Sequence, residues 1–210
     1  MMMSYTLYLQ QTPTVGTKVP FPSLAKGNYP LNEVIINAFL NLMQLTGNLD
    51  TDALLDEKMF DKIWLKAEMT PARMEEIGDY IYHHIPTHPA PLEEEITLFK
   101  QAMQEEEALL AKESEKEGCI PIYKFATNDG WIVTPKECEI IASALTAKLL
   151  EDNHVFVEQV AKMSHIAYRS LEIALIDFGK FNQFAKKIWW LSSLLKNKKR
   201  IFLSKGVRLR

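Results

Sequence analysis

Two Thr-Pro steps, Thr70-Pro71 and Thr134-Pro135, each stand directly ahead of apolar residues at helical spacing. A threonine hydroxyl placed there accepts a backbone N–H of the first turn. Proline loses nothing in that turn, because its missing donor would have had no intrahelical partner. At Thr134-Pro135-Lys136-Glu137 the signal is sharper: Glu137 can reach back to the Thr134 backbone while Thr134 accepts from Glu137, closing a capping box. Ile140, Ile141, Ala144, Leu145 and Leu149 continue that helix. The first step opens a helix running to about His84, with Met74, Ile77 and Ile81 inward and Tyr80 beside them.

Helical periodicity recurs along most of the chain. Pro30 opens a helix over residues 31–45, carried by Leu31, Val34, Ile35, Ala38, Phe39 and Leu42 and ended by Gly47. A second is expected over 52–68. Residues 92–117 read as a longer, strongly acidic helix with sparse apolar positions at Leu98, Met103, Leu109 and Leu110. Further helices are expected over 156–175 and 181–195, separated by a break at Phe178-Gly179.

Strand signals are fewer. Tyr5, Leu7 and Leu9 alternate with polar neighbours ahead of a Pro/Gly-rich stretch at 12–30. Residues 120–125 and 131–133 flank Asn128-Asp129-Gly130 and read as a hairpin. The expected fold is mainly α with minor β (α+β): helical bundle-like packing with a short β-hairpin. A hydrophobic share of 47% over 210 residues suffices for a sizeable core. The composition change near 112–118 suggests a mostly helical region over 1–112 and a hairpin-plus-helices region over 118–210, with one shared core as the alternative.

Charge is segregated along the chain. Residues 180–210 hold ten Lys or Arg and no Asp or Glu, whereas residues 1–177 carry a net charge of −13. Such blocks bear on association, not on fold. Two cysteines, Cys119 and Cys138, are too few for a disulfide scaffold and fit a reducing compartment. The start lacks a basic segment followed by a long apolar stretch, and no apolar run is long enough to span a bilayer. A cytoplasmic protein without a transmembrane segment is the expectation.

Reactive groups form no recognisable local set. His83, His84 and His88 are weak metal candidates, because zinc needs three or four converging ligands and the polar end of a helix accounts for them equally well. Neither cysteine sits in a nucleophile motif, and no Gly-rich phosphate loop, G-x-S-x-G elbow or H-E-x-x-H occurs. The expectation leans away from an enzyme and implies no cofactor. The charge blocks therefore hold the binding candidates: Glu105, Glu106 and Glu107 on the acidic helix, and Lys198, Lys199 and Arg200 near the basic end. Trp189, Trp190 and Phe202 among Lys186, Lys187 and Lys196 could stack on bases or rest on an anionic surface.

The run GWIVTPKECEIIASALTA at residues 130–147 resembles a stretch in small, uncharacterised bacterial proteins. In these a Gly-Trp strand end leads into a Thr-Pro-capped helix, and a second aromatic-rich helix follows, as KFNQFAKKIWWLSS does at 180–193. The resemblance spans about residues 118–195. It implies a bacterial or phage-like cytoplasmic origin and brings no catalytic residue, cofactor or substrate. The reading is a non-catalytic protein-binding or inhibitory protein, such as an immunity protein or phage-type inhibitor, with a nucleic-acid-associated factor as the alternative.

Overall fold

A computed structural model describes residues 4–10, 28–54, 58–126, 131–187 and 189–193. In chain order its elements begin with β1 (Ser4–Gln10), β2 (Asn28–Asn32), α1 (Glu33–Leu45), β3 (Leu49–Asp50) and α2 (Lys58–Lys66). Next come α3 (Pro71–His83), α4 (Glu93–Leu110), β4 (Ile120–Pro121), α5 (Tyr123–Ala126) and β5 (Ile132–Val133). The last are α6 (Pro135–Ala144), α7 (Ala147–Asp152), α8 (His154–Met163), α9 (Tyr168–Ala185) and β6 (Trp189–Ser193). The protein is mainly α with minor β.

Two compact units form. Residues 58–110 make one, and the described residues before 55 and from 111 to 193 close together into the other. Instead of two consecutive regions, β1, β2 and α1 share a core with the C-terminal helices.

In the larger unit the strands form a sheet of order β2-β1-β6-β5 with every pair antiparallel. β3 and β4 make a separate parallel pair, Leu49 opposite Ile120. Chain-consecutive β1 and β2 supply the antiparallel pair next to each other in sequence. The hairpin expected over 120–133 does not form as such: its first arm pairs with β3 and turns helical at Tyr123, and its second arm joins β6.

Local chemistry sets the helix starts. Asn32 accepts the Ile35 N–H at 2.9 Å, so Asn28–Asn32 remains extended and α1 begins after it, not at Pro30. Ile36, Phe39, Leu42 and Met43 then face inward, and Gly47 leaves the helix at φ +73°. Thr134 and Glu137 complete the capping box of α6. Phe39 lies edge-on to Phe125 and Phe178, with centroids 5.0 and 5.2 Å away, and Tyr29 packs against Phe181 at 5.0 Å. Burying each such ring contributes roughly 1.5–3 kcal/mol.

The C-terminal helices differ from the sequence reading. Chain 156–175 is divided between α8 and α9, with His165 at φ +53° in the break, and α9 runs unbroken through Gly179. A Cβ on Gly179 would meet the Leu145 carbonyl oxygen at 2.8 Å, so this glycine serves the close approach of α6 and α9. The expected helix over 181–195 ends at Ala185, and Trp189–Ser193 is a strand flanked by β1 and β5. The helical reading therefore fails at Trp189–Ser193, and Phe202 lies outside the described residues.

The smaller unit packs α2, α3 and α4. Thr70 accepts the Arg73 N–H at 3.2 Å and Pro71 stands in the first turn of α3, as its Thr-Pro step predicts. Met74, Ile77 and Phe99 form one buried cluster; Ile63, Ala67 and Ala102 form another, with Trp64 packed against both. Arg73 grips Glu95 through two hydrogen bonds of 2.9 and 2.7 Å and Glu76 through a third of 2.8 Å. α4 stops at Leu110, seven residues short of the expected end. Among the described residues no helix is long and apolar enough to cross a membrane.

Candidate functional site

On α4 the three consecutive glutamates point three ways, because successive helical residues lie 100° apart. Glu105 is exposed and pairs with Lys66 at 3.3 Å. Glu106 is only 6% exposed and accepts the Trp64 indole N–H at 2.7 Å. Glu107 is half-buried; burial first, and then the neighbouring Glu106 charge, push its carboxyl above the usual range. The triplet thus presents one outward carboxylate, with Glu106 belonging to the core. Phe99, Ala102, Glu106 and Leu110 share the buried face.

The outward acidic groups lie elsewhere on the same unit. Glu93 and Glu94, in the first turn of α4, are exposed and make no ion pair among the described residues. Glu68 and Glu76 are also exposed. Leu65 and Leu92, 74% and 67% exposed, place apolar surface on this unit. Residues 58–110 contain eleven acidic and five basic side chains, a net of −6 with neutral histidine.

His83, His84 and His88 are all exposed, His84 capping α3 in the left-handed conformation. No group of three or more His, Cys, Asp or Glu side chains among the described residues is arranged to hold a metal. Lys198, Lys199 and Arg200 lie outside the described residues. Of the cations leading to them, Lys186 is 28% exposed and sits 3.7 Å from Glu139.

The larger unit holds a polar cluster that local spacing did not reveal. Lys124, on the short α5, is completely buried; its Nζ donates to Glu137 Oε2 at 2.7 Å and to the Ile132 carbonyl at 2.8 Å. The same Glu137 oxygen accepts the Thr134 N–H at 2.9 Å. Burial pushes the Lys124 ammonium below its ordinary range and the Glu137 carboxyl above it, and each opposes the other's shift through their attraction. Thr134 Oγ1 donates to Glu113, which Lys136 approaches at 3.5 Å.

Asp50 anchors an adjoining set. Its side chain is 7% exposed and accepts from Ser114 Oγ at 2.6 Å and from Lys116 Nζ at 2.8 Å; Lys116 also reaches Asp52 at 2.8 Å. The Lys116 and Ser114 hydrogen bonds hold the Asp50 carboxyl below its ordinary range. Tyr123 stands over Trp131 at 4.8 Å, and burial raises its phenol to about 12. Only the Glu137 part of this cluster was legible, through its cap; Lys124 is thirteen residues away and Asp50 sixty-four residues from Ser114.

No family model matches the chain, and no curated protein or solved structure matches it.

Chemically, these groups hold one another. Ser114 Oγ is committed to a carboxylate, the Lys124 amine to Glu137 and the Ile132 carbonyl, and Cys138 is wholly buried beside them. Cys119, half-buried, directs its thiol to the Gly47 carbonyl at 3.4 Å. An open pocket of about 350 Å³ beside Thr46, Asn48, Gly118, Glu139 and Ser143 brings a carboxylate and a hydroxyl to a partly apolar wall.

Proposed function

We propose that this protein works by binding another protein, and that the unit of residues 58–110 is the part that does so. The reading rests on one observation: exposed carboxylates without ion-pair partners among the described residues, Glu93 and Glu94, share that unit with strongly exposed Leu65 and Leu92. Apolar anchors ringed by charge are the composition of a recognition surface, and a net negative unit favours a basic partner. An inhibitory or immunity-type role, occupying a basic target's working surface, follows from that chemistry. The acidic contribution comes from Glu93, Glu94 and Glu105, with Glu106 excluded because it serves the core.

Affinity capture from a bacterial lysate tests the reading, using the wild-type chain and a variant with Glu93, Glu94 and Glu105 changed to Lys. A basic protein retained by the wild type, lost by the variant and shown to bind again when purified supports it. Equal retention by both chains contradicts it.

The basic segment 180–210 favours the competing reading, a nucleic-acid-associated factor. Neutralising Lys198, Lys199 and Arg200 should then weaken binding to a labelled duplex or single strand and flatten its salt dependence. No binding at low salt removes that alternative.

A further inference from the structure

We infer that residues 111–118 form a polar strap that opens locally and admits water to the buried Lys124–Glu137 pair. The segment reads Ala-Lys-Glu-Ser-Glu-Lys-Glu-Gly and carries no apolar side chain larger than a methyl group. What holds it to the larger unit is hydrogen bonding and charge. Ser114 and Lys116 bind Asp50, Lys116 also binds Asp52, Glu113 accepts from Thr134, and Tyr123 Oη donates to the Lys112 carbonyl at 3.3 Å. Lys116 is half-exposed and Asp52 largely exposed, placing these contacts where water competes for them. Segments held by few apolar contacts are the ones that open below the global unfolding free energy.

A continuous hydrogen-bonded path leads from the strap into the interior. Glu113, 35% exposed, meets Thr134; the Thr134 N–H meets Glu137; Glu137 meets Lys124. At the inner end Glu137 Oε1 is buried and finds no hydrogen-bond donor among the described residues. A carboxylate oxygen left unsatisfied is destabilising, and a water entering behind the strap would satisfy it. Lifting Glu113 uncovers Thr134, only 3% exposed, which is the outermost part of that path. The strap therefore controls access to an amine that the closed structure hides completely. This inference stands apart from the acidic-unit reading, since it concerns other residues and another unit.

The test follows two signals in the intact chain: hydrogen exchange over 111–118 and acetylation of Lys124 by acetic anhydride, both read by mass spectrometry. Lys116→Met removes the strap cation that binds Asp50 and Asp52, and Glu113→Gln weakens the hold on Thr134. Each should raise strap exchange and Lys124 labelling together, by about fivefold for Lys116→Met, the equivalent of one partly exposed ion-pair contact. Slowly exchanging amides of α9 should not change. Unchanged Lys124 labelling in both variants, or labelling that rises only in step with α9 exchange, overturns the inference.

Discussion

Lys124 is the residue whose surroundings decide most for the larger unit. Its ammonium is taken wholly out of water and is matched by a carboxylate that also caps a helix. Removing one partner of such a pair leaves an uncompensated buried charge, so Lys124→Met should destabilise the protein by about 3–5 kcal/mol. Adding Glu137→Leu should recover most of that loss, because apolar replacement of both groups also removes their desolvation cost. Urea unfolding of the two variants checks this; a double variant weaker than the single contradicts it. A second residue-scale prediction concerns Glu95, whose carboxyl is held down from 4.5 to about 2, first by Arg73 and next by the Leu92 N–H. A depressed carboxyl contributes stability above its unfolded value that is lost as pH falls, here through the window from 4.5 to about 2. An NMR titration should place Glu95 near 2, and Arg73→Met should return it toward 4.5; a wild-type midpoint near 4.5 refutes the assignment. At this scale the sequence was legible where function and spacing coincide. Thr70, Thr134 and Glu137 cap as their positions demand. Glu106 was misplaced by treating three glutamates as one face, although its spacing from Phe99 and Ala102 marks the buried stripe. Nothing local distinguishes Lys124 from a solvated lysine, because its partner arrives only when β5 and α6 fold over it.

Among the elements, α9 shows how a single glycine can be misread. Gly179 stands where a break was expected, yet the helix continues, and the missing side chain lets α6 come within contact of its backbone. Gly179→Ala would press a methyl group 2.9 Å from Leu145 Cβ and 2.8 Å from its carbonyl oxygen. Despite alanine's better helix propensity, the change should destabilise the protein by about 1–3 kcal/mol, the usual cost of overpacking. Thermal or urea unfolding reads the outcome, and a stabilised Gly179→Ala protein would show that the helices separate freely. β6 teaches the complementary lesson. Trp189–Ser193 continues an apolar pattern that suits a helix, but two neighbouring strands supply its backbone partners, and tertiary pairing overrides a short periodic signal. The 120–133 region fails for the same reason: each arm finds a better-placed strand than the other. Helices with a chemical start were found to within a residue or two, whereas the end of α4 drifted where composition alone set the limit.

For the molecule as a whole, residues 58–110 carry eleven acidic and five basic side chains, while most of the basic block at 180–210 lies outside the described residues. The mainly α architecture with minor β was legible from periodicity. The return of β1, β2 and α1 to the C-terminal core was not, because β1 joins β6 across nearly the full chain and no local spacing records such a pairing. Exposed Glu68, Glu76, Glu93, Glu94 and Glu105 carry part of the negative excess of residues 58–110, and under the proposed function that excess is what a basic partner would meet. Long-range attraction of this kind speeds encounter and fades with salt, whereas an apolar contact does not. The decisive measurement is therefore the affinity of the purified, captured partner for the wild-type chain and for the Glu93, Glu94 and Glu105 to Lys variant across a salt series. Recognition through residues 58–110 predicts wild-type binding that weakens as salt rises, with at least a tenfold loss in the variant at low salt, about 1.4 kcal/mol. Equal affinities for the two chains at every salt concentration would contradict it.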